Sequence, residues 1–204
     1  MEKTLKTLIA RNRESFSFLY QETIDGFAQV RLSNQKAGVW HAIFDPETDV
    51  PSFEDIGLLY LPGGYPEKHL DALVGNEACR KAIKDYAERG GRIVAECGGM
   101  MYLCKSIVTD DGEYEMCGVL PYSITARHQD RKLSLGYRRF VLNGKEYRGH
   151  EFHYTQFMGE VPKSIVQVYD AKGEPVDTPV FRYKNVLASY THLYASFALM
   201  NSEK

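Results

Sequence analysis

Cys97 stands at a position where a cysteine is able to act as a nucleophile. It follows a short apolar run at residues 92–95 and precedes Gly98 and Gly99, after which the sequence turns helical. A sharp strand-to-helix turn exposes one side chain, and glycines let the neighbouring backbone pass close to it. The amino end of the helix also favours the thiolate, which is the reactive form of cysteine. A buried structural cysteine in a tight turn fits the local pattern about as well.

A glycine pair, Gly63 and Gly64, follows the apolar run at residues 56–61. In open α/β sheets, ligands bind at the carboxyl ends of the strands. Backbone amides near Gly64 and at Gly98 are therefore candidate donors to the oxyanion that forms when a thiolate attacks a carbonyl group. The sequence Pro-Gly-Gly also fits an ordinary loop.

His192 follows another short strand-like run, at residues 186–190, and is the candidate partner of Cys97. At the same edge of the sheet its imidazole would accept the thiol proton and return a proton to the leaving group. A lone histidine at a strand end is more often structural, so the assignment depends on its pairing with Cys97.

Two further groups of residues are assigned no chemistry. The run His150-Glu151-Phe152-His153 resembles a metal motif, but in a strand His150 and His153 point to opposite faces, and zinc sites usually need three or four ligands. The remaining cysteines occupy apolar stretches and are predicted to lie in the core: Cys79, Cys104 and Cys117.

The elements that would position these residues alternate between strand and helix in the first half of the chain. Strands are predicted at residues 4–10, 38–44, 56–61 and 92–95, and helices at residues 15–30 and 100–107. A further helix has Asn76 as its cap and Gly90 and Gly91 at its end. Such alternation is typical of a parallel sheet with helices on its faces.

The second half is richer in strands. Segments 133–142, 146–155, 165–169, 180–183 and 186–190 read as strands, and a helix is predicted at residues 193–200. Asn143 and Gly144 predict a hairpin turn. The prediction is a single α/β domain over residues 1–204, with antiparallel strands added late.

Composition excludes several classes of protein. The 204 residues carry a net charge of −2, which gives no basic footprint for nucleic acid. No run is long enough to span a membrane or to serve as a signal peptide, and four cysteines without zinc spacing fit a reducing compartment. A cytoplasmic location is expected.

Several segments together resemble the C-terminal amidotransferase domain of cobyrinic acid a,c-diamide synthases. They keep their order along nearly the whole chain, which makes the resemblance strong. The matching segments are residues 15–20, 59–67, 95–103, 118–121, 135–137, 149–154 and 188–192. Ala95 and Glu96, before the cysteine, favour the diamide synthase branch over the similar cobyric acid synthases.

The resemblance implies a class I glutamine amidotransferase fold, which is a flavodoxin-like three-layer sandwich. It implies Cys97 as the nucleophile, His192 as the residue that activates it, and glutamine as the ammonia donor. It also implies that residues 150–153 lie near the cleft or a domain interface. The complete enzymes use ATP to amidate the a and c carboxylates of cobyrinate in cobalamin biosynthesis. Related members act on hydrogenobyrinate or on a nickel tetrapyrrole.

The chain departs from the family in three places. It has no phosphate-binding loop, so ATP and Mg²⁺ are expected only on a synthetase domain or subunit that this sequence lacks. Residues 22–50 fit the family pattern poorly. Tyr194 occupies the position, two residues after the histidine, where general class I amidotransferases have glutamate.

Two other functions fit the same residues. A different cysteine hydrolase, such as a peptidase or a deglycase-like protein, would use the same elbow. A domain without catalysis would only dock on a synthetase, and its Cys97 would react no faster than a free thiol.

Overall fold

The computed structural model describes residues 6–29 and 41–195. Its helices are α1 (Gln21–Gln29), α2 (Leu70–Gly75), α3 (Glu77–Glu88) and α4 (Gly98–Leu103), with 3-10 turns at Pro66–Lys68 and His128–Asp130. Its strands are β1 (Lys6–Ala10), β2 (His41–Phe44), β3 (Ile56–Leu61), β4 (Ile93–Glu96), β5 (Ser106–Thr109), β6 (Gly112–Glu115), β7 (Ser123–Thr125), β8 (Ser134–Leu142), β9 (Lys145–His153), β10 (Gln156–Met158), β11 (Val168–Tyr169), β12 (Pro175–Val176), β13 (Val180–Tyr183), β14 (Val186–Ser189) and β15 (His192–Leu193).

A six-stranded sheet in the order β13-β14-β4-β3-β1-β2 forms the centre of the fold. Neighbouring strands in this sheet are parallel, except that β13 is antiparallel to β14. Side chains alternate between its faces: Leu59 and Leu61 pack with α3 and α4, whereas Leu58 and Tyr60 pack with β8 and β9. Burial on both faces explains why these strands are continuously apolar.

The predicted three-layer α/β fold with late antiparallel strands is confirmed, with one difference in its outer layers. Helices cover one face of the central sheet. The opposite face is covered largely by a second sheet, in the order β12-β11-β8-β9-β15, with α1 beside it. A third sheet, in the order β10-β7-β5-β6, was not predicted.

Several local predictions are confirmed. β3 has the predicted bounds, and α3 begins after Asn76, whose side-chain oxygen accepts a hydrogen bond from the amide of Cys79 at 3.3 Å. Asn143 and Gly144 have φ angles of 51° and 76° and join β8 to β9. Those angles match a two-residue hairpin turn, which fixes the register of the two strands.

The helix predicted at residues 15–30 begins only at Gln21. The segment before it runs along the central sheet, where Phe18 forms an antiparallel bridge with Gly63 through a 3.0 Å hydrogen bond. Phe16 is fully buried in the core. Residues 13–16 form a bend and a turn in which Ser15 and Phe16 are both buried, so the segment before Gln21 is irregular and not helical.

The two other helix predictions were also partly wrong. The helix predicted at residues 100–107 spans Gly98–Leu103, and its last residues belong to β5. Of the helix predicted at residues 193–200, Leu193 lies in β15, where it pairs with Gly149, and residues 196–200 lie outside the described part of the chain. In both places pairing with a sheet outweighs local helix preference.

The strand predicted at residues 180–183 is confirmed as β13, whereas the other strand predictions differ from the structure at their ends. Residues 4, 5 and 38–40 lie outside the described ranges, and the strand predicted at 165–169 is reduced to the two residues of β11. No helix within residues 6–29 and 41–195 is both long and apolar enough to cross a bilayer.

Candidate active site

Cys97 occupies a strained turn between β4 and α4. Its backbone has φ 45° and ψ −110°, a conformation that residues other than glycine rarely adopt. Two hydrogen bonds hold it: the Cys97 amide donates to Ser189 O at 2.8 Å, and the Met101 amide donates to Cys97 O at 2.9 Å. The first bond joins the end of β4 to the end of β14. Strain at a potential nucleophile is typical of a functional turn.

Gly98 and Gly64 lie against each other beside this turn. A Cβ on Gly98 would lie 2.7 Å from Gly64 O and 2.8 Å from the ring of Pro66. A Cβ on Gly64 would lie 2.5 Å from the carbonyl carbon of Ser15. Only glycine permits these approaches, so the structure brings together the two glycines that the sequence analysis paired with Cys97.

His192 lies at the same edge of the central sheet and is 1% exposed. It pairs with His150 across β15 and β9, and the two rings stack with centroids 4.9 Å apart. Phe18 packs edge-on at 5.3 Å, and Gly63 lies under the imidazole. The contacts hold the ring in one orientation through packing.

Neither ring nitrogen of His192 has a hydrogen-bond partner among the described residues. Burial, together with the nearby charges of His150 and His153, lowers the pKa of His192 to about 3. The imidazole is therefore neutral at physiological pH and has one unprotonated nitrogen, but burial makes it a weak base in this state.

Cys97 is also neutral in this structure. Burial, followed by the charge of Glu67, raises the pKa of the Cys97 thiol, and the Gly98 amide opposes the rise without cancelling it. The thiol contacts Phe152 O at 3.9 Å and is not hydrogen-bonded to His192. The expectation that the start of α4 makes the thiolate the favoured form is therefore not met in this state, because desolvation outweighs the helix.

A small pocket opens beside the Cys97 thiol. Cys97 and Gly64 in its wall were identified from the sequence, and Phe152 and His153, also in its wall, were expected near the cleft. Tyr65, Glu67 and Tyr154 were assigned to no site. Their signals were present in the segments around residues 63–67 and 149–154, but no spacing rule assigned them a role. His192 does not line the pocket.

A buried ionic network lies behind the pocket. Glu151 accepts hydrogen bonds from His153 and Arg138, both at 2.6 Å, and from Thr178. Burial would raise the pKa of Glu151, but these donors hold it below its ordinary value. His153 contacts Thr155 O at 2.8 Å through its other ring nitrogen. Both ring nitrogens of His153 are thus engaged with oxygen atoms, one with the Glu151 carboxylate and one with the Thr155 carbonyl.

Glu151 and His153 lie on the same face of β9, since their side chains are hydrogen-bonded to each other. Within the described ranges no three metal-binding side chains converge on one point. Cys79, Cys104 and Cys117 are all buried in the core, as predicted. Tyr194 is 43% exposed beside His150, and no carboxylate of the described residues bonds to His192 in its place.

Sequence comparison with known proteins identifies one family for this chain. Residues 15–198 match the model of the CobB/CobQ-like glutamine amidotransferase domain. Hydrogenobyrinate a,c-diamide synthase of Pseudomonas aeruginosa is 36% identical over 181 residues, covering 88% of this chain and 39% of that protein. Cobyrinate a,c-diamide synthase of Dehalococcoides mccartyi is 36% identical over 199 residues, covering 91% and 41%. The chain thus spans about two fifths of the length of these relatives.

Solved structures agree on the fold. A glutamine amidotransferase structure superposes with a TM-score of 0.56 at 18% identity, covering 93% of this chain and 89% of that one. The structure of PurLQS from Thermotoga maritima gives 0.58 at 14% identity, covering 93% and 87%. At such identities the likeness concerns the fold alone, and the family rests on the sequence matches. The chain belongs to the CobB/CobQ-like glutamine amidotransferase family.

Proposed function

We propose that this chain is a glutaminase, in which Cys97 attacks the side-chain amide of glutamine and His192 acts as base and acid. The observation that carries the proposal is the strained turn at Cys97, held at the sheet edge where a neutral imidazole with two unpaired nitrogens is also buried. Membership of a glutamine amidotransferase family supports glutamine as the substrate.

The proposed reaction has two stages. The thiol gives its proton to His192 while sulfur bonds to the amide carbon, and backbone amides near Gly64 and Gly98 stabilise the oxyanion. One such donor is worth about 3 kcal/mol of the barrier. His192 then protonates the departing nitrogen, and ammonia leaves a thioester on Cys97. Water, activated by the same histidine, hydrolyses the thioester to glutamate.

His192 is a better candidate for the base than His153, although only His153 lines the pocket. Both nitrogens of His153 are engaged with Glu151 and Thr155. His192 must approach Cys97 for the reaction, and catalytic hydrogen bonds often tighten only in the substrate complex. We propose that His192 moves towards Cys97 when glutamine, a synthetase partner, or both bind.

The ammonia would serve an ATP-dependent amidation. The matched relatives are a,c-diamide synthases more than twice as long as the chain. We propose that an ATP- and Mg²⁺-binding synthetase domain or subunit receives the ammonia and uses it on the a and c carboxylates of cobyrinate or hydrogenobyrinate. In this scheme ATP and Mg²⁺ bind to the synthetase and not to this chain.

The test is covalent trapping with 6-diazo-5-oxo-norleucine, a glutamine-like diazoketone, followed by digestion and mass spectrometry. We expect one adduct, on Cys97, that excess glutamine prevents. The Cys97→Ser variant should give none, and Cys104→Ser is the matched control because Cys104 is buried in the core and has no role in the mechanism. A lack of adduct in the unsubstituted chain, even with a synthetase partner and ATP, would refute the proposal and favour a docking domain without catalysis.

A further inference from the structure

Glu67 carries an unsatisfied buried oxygen at the pocket of Cys97. It lies in the 3-10 turn Pro66–Lys68, which follows Gly64, and its side chain lines the pocket. Its Oε2 atom is buried and finds no hydrogen-bond donor among the residues that the structure describes. A buried carboxylate oxygen without a donor is unfavourable, and a ligand that brings a donor removes that cost.

The nearby cations do not supply this donor. Burial raises the pKa of the Glu67 carboxyl, and its own backbone amide and the charges of Lys68 and Arg131 oppose the rise. The Lys68 ammonium, however, lies 4.4 Å from the centre of the Tyr65 ring, and the Arg131 guanidinium lies 5.3 Å from that of Tyr154. Both cations act on Glu67 only through space.

Glutamine brings a suitable donor into this pocket. When its amide carbon lies at the Cys97 sulfur, its α-ammonium group lies roughly 5 Å further along the molecule, by standard bond lengths. An ammonium–carboxylate hydrogen bond is charge-assisted and about twice as strong as a neutral one. Glu67 and Cys97 line the same small pocket, so one glutamine would reach both.

We propose that Glu67 accepts the α-ammonium group of glutamine and thereby selects the free amino acid over amides that lack a cationic amino group. This inference rests on the glutaminase proposal and specifies how that site recognises its substrate. Glutamine within a peptide has an uncharged α-nitrogen and would be rejected.

The same contact would also couple binding to activation. The charge of Glu67 is the second largest cause, after burial, of the raised pKa of Cys97. An ammonium group bound to Glu67 neutralises that charge, so the thiolate becomes easier to form when the substrate is in place. An amide without the ammonium group would gain neither the hydrogen bond nor this activation.

The test compares two reagents on the full chain: 6-diazo-5-oxo-norleucine and its deamino analogue, 6-diazo-5-oxohexanoate. Rates of Cys97 alkylation are measured for the unsubstituted chain and for Glu67→Gln. We expect the unsubstituted chain to prefer the amino reagent, and Glu67→Gln to lose that preference by a factor on the order of ten to a hundred. Glu54→Gln is the matched control, because Glu54 is exposed and precedes β3 at the opposite edge of the sheet.

Iodoacetamide, which carries no ammonium group, separates recognition from damage to the nucleophile. Cys97 of Glu67→Gln should react with it as fast as Cys97 of the unsubstituted chain, or faster. A preference for the amino reagent that survives in Glu67→Gln would overturn the assignment of Glu67 while leaving the glutaminase proposal standing. No adduct with either diazoketone in the unsubstituted chain would refute the glutaminase proposal and the role of Glu67 with it.

Discussion

Gly63 and His192 are in direct contact: a Cβ on Gly63 would lie 2.6 Å from Nδ1 of the imidazole and closer still to Cε1. The imidazole cannot move away from Gly63, because His150 stacks on the ring and Phe18 packs against its edge. The absence of a side chain at Gly63 is therefore what allows His192 to occupy its position.

A Gly63→Ala substitution should displace His192 and abolish most of the glutaminase activity. A displacement of about 1 Å in a catalytic group costs on the order of a hundredfold in rate. The measurement is the rate of Cys97 alkylation by 6-diazo-5-oxo-norleucine. Gly75→Ala is the matched control, since a Cβ at Gly75 meets no atom of the described residues within 4 Å. Equal rates for Gly63→Ala and Gly75→Ala would contradict the proposed role of His192.

His192 should make the fold sensitive to acid. Its pKa is lowered from 6.5 to about 3 in the folded chain, so between these values the unfolded state binds more protons. Stability conferred by the neutral ring is thus complete above pH 6.5 and falls as the pH decreases towards 3, by up to about 1.4 kcal/mol per pH unit.

Urea unfolding of the chain and of His192→Gln at several pH values measures this effect. The difference in the free energy of unfolding between the chain and the variant should fall by a few kcal/mol between pH 6.5 and pH 4. A difference that stays constant over that interval would mean that His192 is not buried as a neutral group.

The Cys97 thiol of the isolated chain should behave as a poorly ionised group. Only the thiolate reacts with iodoacetamide, and burial raises the pKa of Cys97 above its ordinary value. The alkylation rate of Cys97, followed by mass spectrometry of its peptide, should still be rising at pH 10. Free cysteine, with a pKa of about 8.5, reaches its plateau earlier and is the reference. A plateau near pH 7 would show instead that the start of α4 dominates over burial.

The buried pair of Arg138 and Glu151 should contribute far more to stability than a similar pair on the surface. Arg138→Ala removes one charge-assisted donor from the buried Glu151 carboxylate while His153 and Thr178 remain, so it should lower the free energy of unfolding by about 1.5–3 kcal/mol. Arg148→Ala is the matched control: Arg148 contacts Glu146 at the same distance of 2.6 Å, but both side chains are exposed and the expected loss is about 0–1 kcal/mol. Urea unfolding at pH 7 distinguishes the two, and equal losses would show that burial does not decide the strength of the pair.

The sequence predicted those parts of the site that depend on local pattern. Cys97, Gly98 and Gly64 were found because a strand-to-helix turn and a glycine pair have short signatures, and the structure places them together. The position of His192 followed from the end of a strand.

The remainder of the site depends on contacts between distant segments. No spacing rule singles out Glu67, because its significance comes from a pocket whose opposite wall includes residues 152–155. The non-helical course of residues 15–19 depends on the bridge between Phe18 and Gly63, which lie 45 positions apart. Desolvation, which decides the ionisation of Cys97 and His192, is also a property of the whole fold and not of the local sequence.

Strand β9 contacts both members of the proposed catalytic pair. Its His150 stacks on His192, and two and three positions after His150 its Phe152 and His153 line the Cys97 pocket. Strand β9 pairs with β8 along nine register positions. One hairpin therefore borders the surroundings of both Cys97 and His192, and the exposed side chains of Leu135 and Tyr137 on β8 give this hairpin a surface that can be changed without substituting either residue.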